Sequence, residues 1–100
     1  MSTPDEVLEK TRAIILERGQ HHGQWRSNMD NIADLWSSFL GRRVSGDQVA
    51  VMLGLVKVSR ITIGNYNQDD YEDAVGYFAI AAACAEPEET EPDGNVRTLR

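Results

Sequence analysis

The stretch Ser45-Gly46-Asp47-Gln48-Val49-Ala50-Val51-Met52-Leu53-Gly54-Leu55-Val56-Lys57-Val58-Ser59-Arg60-Ile61 decides the fold. Ser45 with Gln48 three residues later is a capping box, which supplies partners to backbone amides left free at a helix start. Behind it, Val49, Leu53 and Val56 line one side of a helix running to about residue 61, and Val51, Leu55 and Val58 line the opposite side. A helix that is apolar all round is a buried one. In a chain of 100 residues this predicts either a central helix or one whose second face is covered by another subunit, and it favours a homo-oligomer.

The flanking sequence predicts three more helices. Upstream, Thr3-Pro4-Asp5-Glu6 combines a capping threonine, a proline at the first helical position and a glutamate that can return the capping-box bond. Val7, Leu8, Thr11, Ile14 and Ile15 continue it at helical spacing, and Gly19 is the expected stop. Residues 20–26 show no period and read as a loop, with Trp25 folding back on the core. Ser27 and Asp30 open a second helix, whose stripe is Met29, Ile32, Ala33, Trp36, Phe39 and Leu40 and whose end is Gly41. Downstream, residues 64–67 form a turn, and a fourth helix starts near Asn67 or Gln68 with Asp69 and Asp70 at the positive end of its dipole. Tyr71, Ala74, Val75, Phe78, Ala81 and Ala82 supply its inner face. The expected architecture is all-α: a four-helix, bundle-like domain over residues 1–85, followed by a disordered acidic tail at 86–100. That tail is rich in Glu, Pro, Thr and Gly and too polar to bury a core.

Totals exclude several classes of function. The net charge of −6 argues against broad electrostatic binding to nucleic acid or to an anionic membrane. Five acids against Arg97 and Arg100 in residues 86–100 carry about half of that excess. The single cysteine, Cys84, leaves no internal disulfide and no cysteine-based zinc site. No apolar run approaches the roughly 20 residues of a membrane span, and the first residues lack the basic-then-apolar pattern of a signal peptide. The expected location is the cytoplasm, which for a phage protein is that of the infected host.

Charges that sit badly in a purely structural pattern mark the candidate site. Projection at 100° per residue places Arg60 between Leu53 and Val56, inside an apolar stripe, with Lys57 at its edge. A buried guanidinium needs a partner, because an unpaired buried charge is too costly to keep. Asp70 and Asp73, at the start of the next helix, are the natural partners. Such a cluster is either an ion pair tying the two helices or an anion site whose cations the carboxylates orient. Arg18 extends the stripe of the first helix and is followed by Gly19, His21, His22 and Gly23, a segment able to offer a cation and backbone donors to a phosphate or carboxylate. No third ligand accompanies the paired histidines, so no metal is assigned. Glu6 with Glu9, and Asp70 with Asp73, have the spacing by which helical hydrolases hold magnesium. The first pair projects away from its apolar stripe, towards solvent.

Four blocks carry a resemblance: residues 17–23, residues 28–36, Val49 to Arg60, and Asp69-Asp70-Tyr71-Glu72-Asp73-Ala74-Val75-Gly76-Tyr77. In this order, over about residues 8–84, the chain resembles a small phage and prophage family known as a domain of unknown function. More distantly, the basic block followed by Asp-x-x-Gly-Tyr is similar to phage nucleotide-modification-associated and MazG-like helical proteins, whose full double-acid metal motif this chain lacks. The resemblance implies a phage or prophage origin. Together these features lead to the expectation of an accessory protein binding a small anionic, nucleotide-like ligand between helices, through Arg18, His22, Lys57, Arg60, Asp70 and Asp73. The alternatives are a host-interaction or anti-defence protein acting through protein contacts, and a MazG-like pyrophosphohydrolase. No catalytic residue and no cofactor are assigned, magnesium belonging only to the hydrolase alternative.

Overall fold

A computed structural model describes residues 2–22 and 24–87, without the side chains of His21 and His22. The bulk of the acidic tail, residues 88–100, lies outside the described residues. Among those described there are four helices and no strand: α1 Pro4–His22, α2 Trp25–Leu40, α3 Gly46–Ile63 and α4 Gln68–Ala85.

The capping chemistry forms as its residues dictate. The Thr3 amide donates to Glu6 Oε1 at 3.4 Å and the Glu6 amide to Thr3 Oγ1 at 3.2 Å. The Ser45 amide donates to Gln48 Oε1 at 3.0 Å. Asn67 caps α4, its Oδ1 accepting from the Asp69 amide at 3.0 Å. Gly41 ends α2 with φ at 71°, a left-handed conformation in which a side chain would be strained, and its amide donates to the Ser37 carbonyl at 2.9 Å.

Two helix boundaries depart from the expectation. Gly19 does not stop α1, which runs on to His22, and α2 starts at Trp25 with Gln24 as its cap, not at Ser27. Glycine ends a helix when it takes the left-handed conformation, and among the described residues only Gly41 has a positive φ. Of the expected loop over residues 20–26, Gln24 alone lies outside both helices among the described residues.

The short turn between α3 and α4 folds them back into an antiparallel hairpin, and their contact is the most extensive in the molecule. Gly54 makes that contact close: a Cβ there would lie 2.6 Å from Phe78 Cε1. On this spine α2 packs chiefly against α3, and α1 against α4. Although α1 and α2 are joined by a short link, they barely touch. That splay opens a groove between α1, the start of α2, and α4. The buried core is built from small or flexible side chains, among them Met29, Ala33, Val49, Ala50 and Ala81, with Trp25, Ile32, Trp36, Leu53 and Ile80 packed on it.

The inner faces of α3 and α4 differ from the sequence reading. On α3, Val49, Ala50 and Gly54 are buried, whereas Val51, Met52, Leu55 and Val56 are exposed. On α4, Tyr71, Phe78 and Ala82 turn outwards, and the buried positions include Asp70, Glu72, Gly76 and Cys84 beside Ala74 and Ala81. Gly54 accounts for part of this. It leaves room for the Phe78 ring to lie against α3 while 40% of that residue stays exposed, and among the buried apolar positions of the two helices none is larger than valine.

Candidate functional site

The groove between α1, α2 and α4 has a volume of about 410 Å³, within the range of small-molecule sites. Thr11, Ile14, Ile15 and Arg18 of α1 form one wall, and Trp25, Asn28 and Met29 of α2 form another. The third is α4, through Glu72, Asp73, Gly76, Tyr77 and Ile80. Trp25 is held in place at the mouth of α2. Arg26 stacks over its ring at 5.0 Å from the centroid, and the Arg26 guanidinium donates to the Ala83 carbonyl at 3.1 Å.

Asp73 is the hub of the charges. Lys57 Nζ lies 3.0 Å from its Oδ2, and Arg18 Nη2 lies 3.6 Å from its Oδ1. One carboxylate thus links α3 to α4 and α1 to α4. Lys57 and Asp73 keep only 18% and 15% of their side-chain surface, whereas Arg18 keeps 56% and reaches into the groove mouth.

Glu72, adjacent in sequence, is more deeply placed. Its side chain has no exposed surface. Its Oε2 accepts from Gln68 Nε2 at 2.8 Å and lies 3.5 Å from Lys10 Nζ. Its Oε1 is buried and has no hydrogen-bond partner among the described residues. The nearby Thr11 hydroxyl does not serve it, because that hydroxyl donates to the Val7 carbonyl at 2.8 Å. Leaving a buried acceptor unpaired is costly, and the cost is greater for a carboxylate.

The structure brings Arg18, Lys57 and Asp73 together and leaves Arg60 and Asp70 elsewhere. Arg60 is exposed and makes no ion pair among the described residues, so the expected Arg60–Asp70 tie does not form. The two residues instead line a second, shallower groove at the α3–α4 turn, with Tyr66 and Asn67. Lys57, expected at the edge of its face, is the cation that turns inwards. His22 falls in the last turn of α1, and its side chain lies outside the described residues. Glu6 and Glu9 are exposed, as projected. Asp70 and Asp73 do not act as a pair, since Asp73 is taken up by two cations and Asp70 faces the turn. Among the described residues no three His, Cys, Asp or Glu side chains gather in a way that could hold a metal ion. Burial pushes the Cys84 thiol above its ordinary range, which makes it a poor nucleophile.

Sequence reasoning missed Glu72 and Lys10. A signal was available: Glu72, Gly76 and Ile80 lie at i, i+4 and i+8, one face of a helix, and the glycine marks where a neighbouring helix can come close.

The fold and the groove define a small all-helical protein with a cleft lined by apolar and charged side chains together. Residues 6–85 match the family described as Domain of unknown function (DUF6378), and the chain belongs to that family. The Gene 55 protein of Mycobacterium phage D29 is 32% identical over 90 residues, covering 88% of this chain and 60% of the relative. The Gene 55 protein of Mycobacterium phage L5 is 30% identical over 90 residues, covering 89% and 54%. The chain therefore spans little more than half the length of these curated relatives. No solved structure matches it. The family thus has phage-encoded members, in keeping with the resemblance read from its four sequence blocks. No helix among the described residues is long and apolar enough to cross a membrane.

Proposed function

We propose that the chain is a phage or prophage accessory protein that binds a small anionic, nucleotide-like ligand in the groove between α1, α2 and α4. The observation that carries this reading is a cleft of ligand size, walled in part by Trp25 and Tyr77, that the exposed Arg18 also lines. The base of the ligand would lie against Trp25 and Tyr77, and its phosphate would meet Arg18. Asp73, clamped by Lys57, positions that arginine. Arg60 and Asp70 are not part of this reading.

A thermal-shift panel of mono-, di-, tri- and cyclic nucleotides tests the reading. A ligand at a hundredfold excess over its dissociation constant should stabilise the protein by about 2.7 kcal/mol, a shift of several degrees in a domain of this size. Arg18→Met should abolish the shift and Arg60→Met should retain it. The absence of a shift for every nucleotide with the wild-type protein would end the proposal.

We also propose self-association through the outer face of α3. Leu55 and Val56 remain 54% and 52% exposed, beside Val51 and Met52 on the same helix and Phe78 on α4. Light scattering at micromolar concentration should report a dimer or larger, and Leu55→Glu should return it to a monomer. A wild-type protein that scatters as a monomer would refute this.

A further inference from the structure

We propose that the turn between α3 and α4 is a docking site for another protein, one that presents an arginine or lysine side chain between apolar residues. The cationic head meets Asp70, and the apolar neighbours cover Tyr66 and Ile63. This surface lies apart from the groove of the nucleotide reading and does not depend on it.

Only 9% of Asp70 is exposed, and its carboxylate has no hydrogen bond and no ion pair among the described residues. Unlike Glu72 Oε1, its oxygens are not sealed from water, and the residue lines the shallow groove at the turn with Arg60, Ile63, Tyr66 and Asn67. The positive end of the α4 dipole favours an acid at this position but gives it no donor. The Asp69 amide donates to Asn67 Oδ1 at 3.0 Å, and the Asp70 amide to the Asn67 carbonyl at 3.1 Å. Arg60 lines the same groove without closing on the carboxylate. An ionised carboxylate only accepts, so what it lacks is a donor, and a cationic donor gives the stronger bond.

The surroundings identify what carries that cation. Tyr66 and Ile63 are exposed, and the Tyr66 ring lies 5.9 Å from that of Tyr71, which is exposed as well. Uncovered tyrosines beside a recessed charge match the make-up of a protein interface, where aromatic residues are enriched. An arginine or lysine side chain suits both parts: its stem lies along apolar surface while its head seeks the charge, and tyrosine faces attract cations. Asp69, exposed at the same helix start, adds a second negative charge, so two acids stand against Arg60 at the turn. A bare metal ion does not fit, because among the described residues no three His, Cys, Asp or Glu side chains gather to hold one.

The probes are two capped tripeptides, leucine-arginine-leucine and leucine-citrulline-leucine, since citrulline has the shape of arginine without its charge. Each is titrated into the isotopically labelled full chain and followed by amide chemical shifts. The arginine peptide should shift the amides around Arg60, Tyr66 and Asp70 and bind about tenfold or more tightly than the citrulline peptide, as a charged hydrogen bond to a recessed group requires. Asp70→Asn should bring the two peptides to within about twofold of each other. Tyr66→Ala, a surface change, should weaken both. Equal binding of the two peptides by wild-type protein overturns the inference, as do shifts confined to other parts of the chain, no shift at all, or a preference that survives Asp70→Asn. Free arginine that binds more tightly than the capped peptide also overturns it, by assigning the groove to a small amino acid held by Asp70 and Arg60 together. If Asp70→Asn fails to fold, the comparison of the two peptides on wild-type protein and on Tyr66→Ala decides.

Discussion

Glu72→Met should raise the melting temperature of the protein. The side chain is wholly buried, yet one of its oxygens has no partner among the described residues. Its cation, Lys10, keeps 58% of its side-chain surface and can return to water when the carboxylate is removed. Gln68 is only partly buried and can do the same. Replacing a buried charge by an apolar side chain of similar volume is often neutral or stabilising, by about 1–4 kcal/mol. In a domain under 100 residues each kcal/mol is about 4–8 °C. Thermal unfolding followed by circular dichroism measures the change. A drop of several degrees would instead make Glu72 a net tie between α1 and α4.

Asp73→Ala should act in the opposite direction. It leaves the ammonium of Lys57 between α3 and α4 with 18% of its side-chain surface in water and no other ion-pair partner among the described residues. Breaking a fully buried pair costs about 3–5 kcal/mol, and the remaining solvent exposure reduces this to roughly 1–3 kcal/mol. Lys57→Met in the same background should recover most of the loss, since it removes the stranded charge. The double-mutant cycle should return a coupling of about 0.5–3 kcal/mol, as for side chains in direct contact. Arg60→Met is the control. That side chain is exposed and unpaired among the described residues, so its removal should stay within about 0.5 kcal/mol. Urea unfolding of the four variants checks the set. A coupling near zero would show that the Lys57–Asp73 contact contributes nothing to the fold, and a large loss at Arg60 would restore the role that its sequence position suggested.

The candidate site was half legible in the sequence. Arg18, Lys57 and Asp73 stood out as charges on or beside apolar stripes, and they converge on one carboxylate. Glu72 did not stand out, because in a run of acids at a helix start it looks like one more partner for the dipole. Its burial comes from α1 lying across it. Arg60 was misplaced for the converse reason: a projection assigns the inner face from the apolar residues, and α3 is apolar on both sides.

By itself, the sequence determined the all-α class, the number of helices, most of their ends and the caps that begin α1, α3 and α4. These depend on interactions within a turn or two of the chain: Thr3 with Glu6, Ser45 with Gln48, Asn67 with Asp69, and Gly41 with Ser37. Tertiary structure alone decided which face of α3 and α4 turns inwards, how far α1 runs past Gly19, and where the groove opens. Those outcomes depend on the approach of helices distant in sequence. Gly54 makes room on α3 for the Phe78 ring of α4, and the splay of α1 from α2 leaves a space that Glu72, Asp73 and Arg18 come to line. Hydrophobic periodicity names the faces of a helix, but when two faces are equally apolar only packing against its neighbours chooses between them.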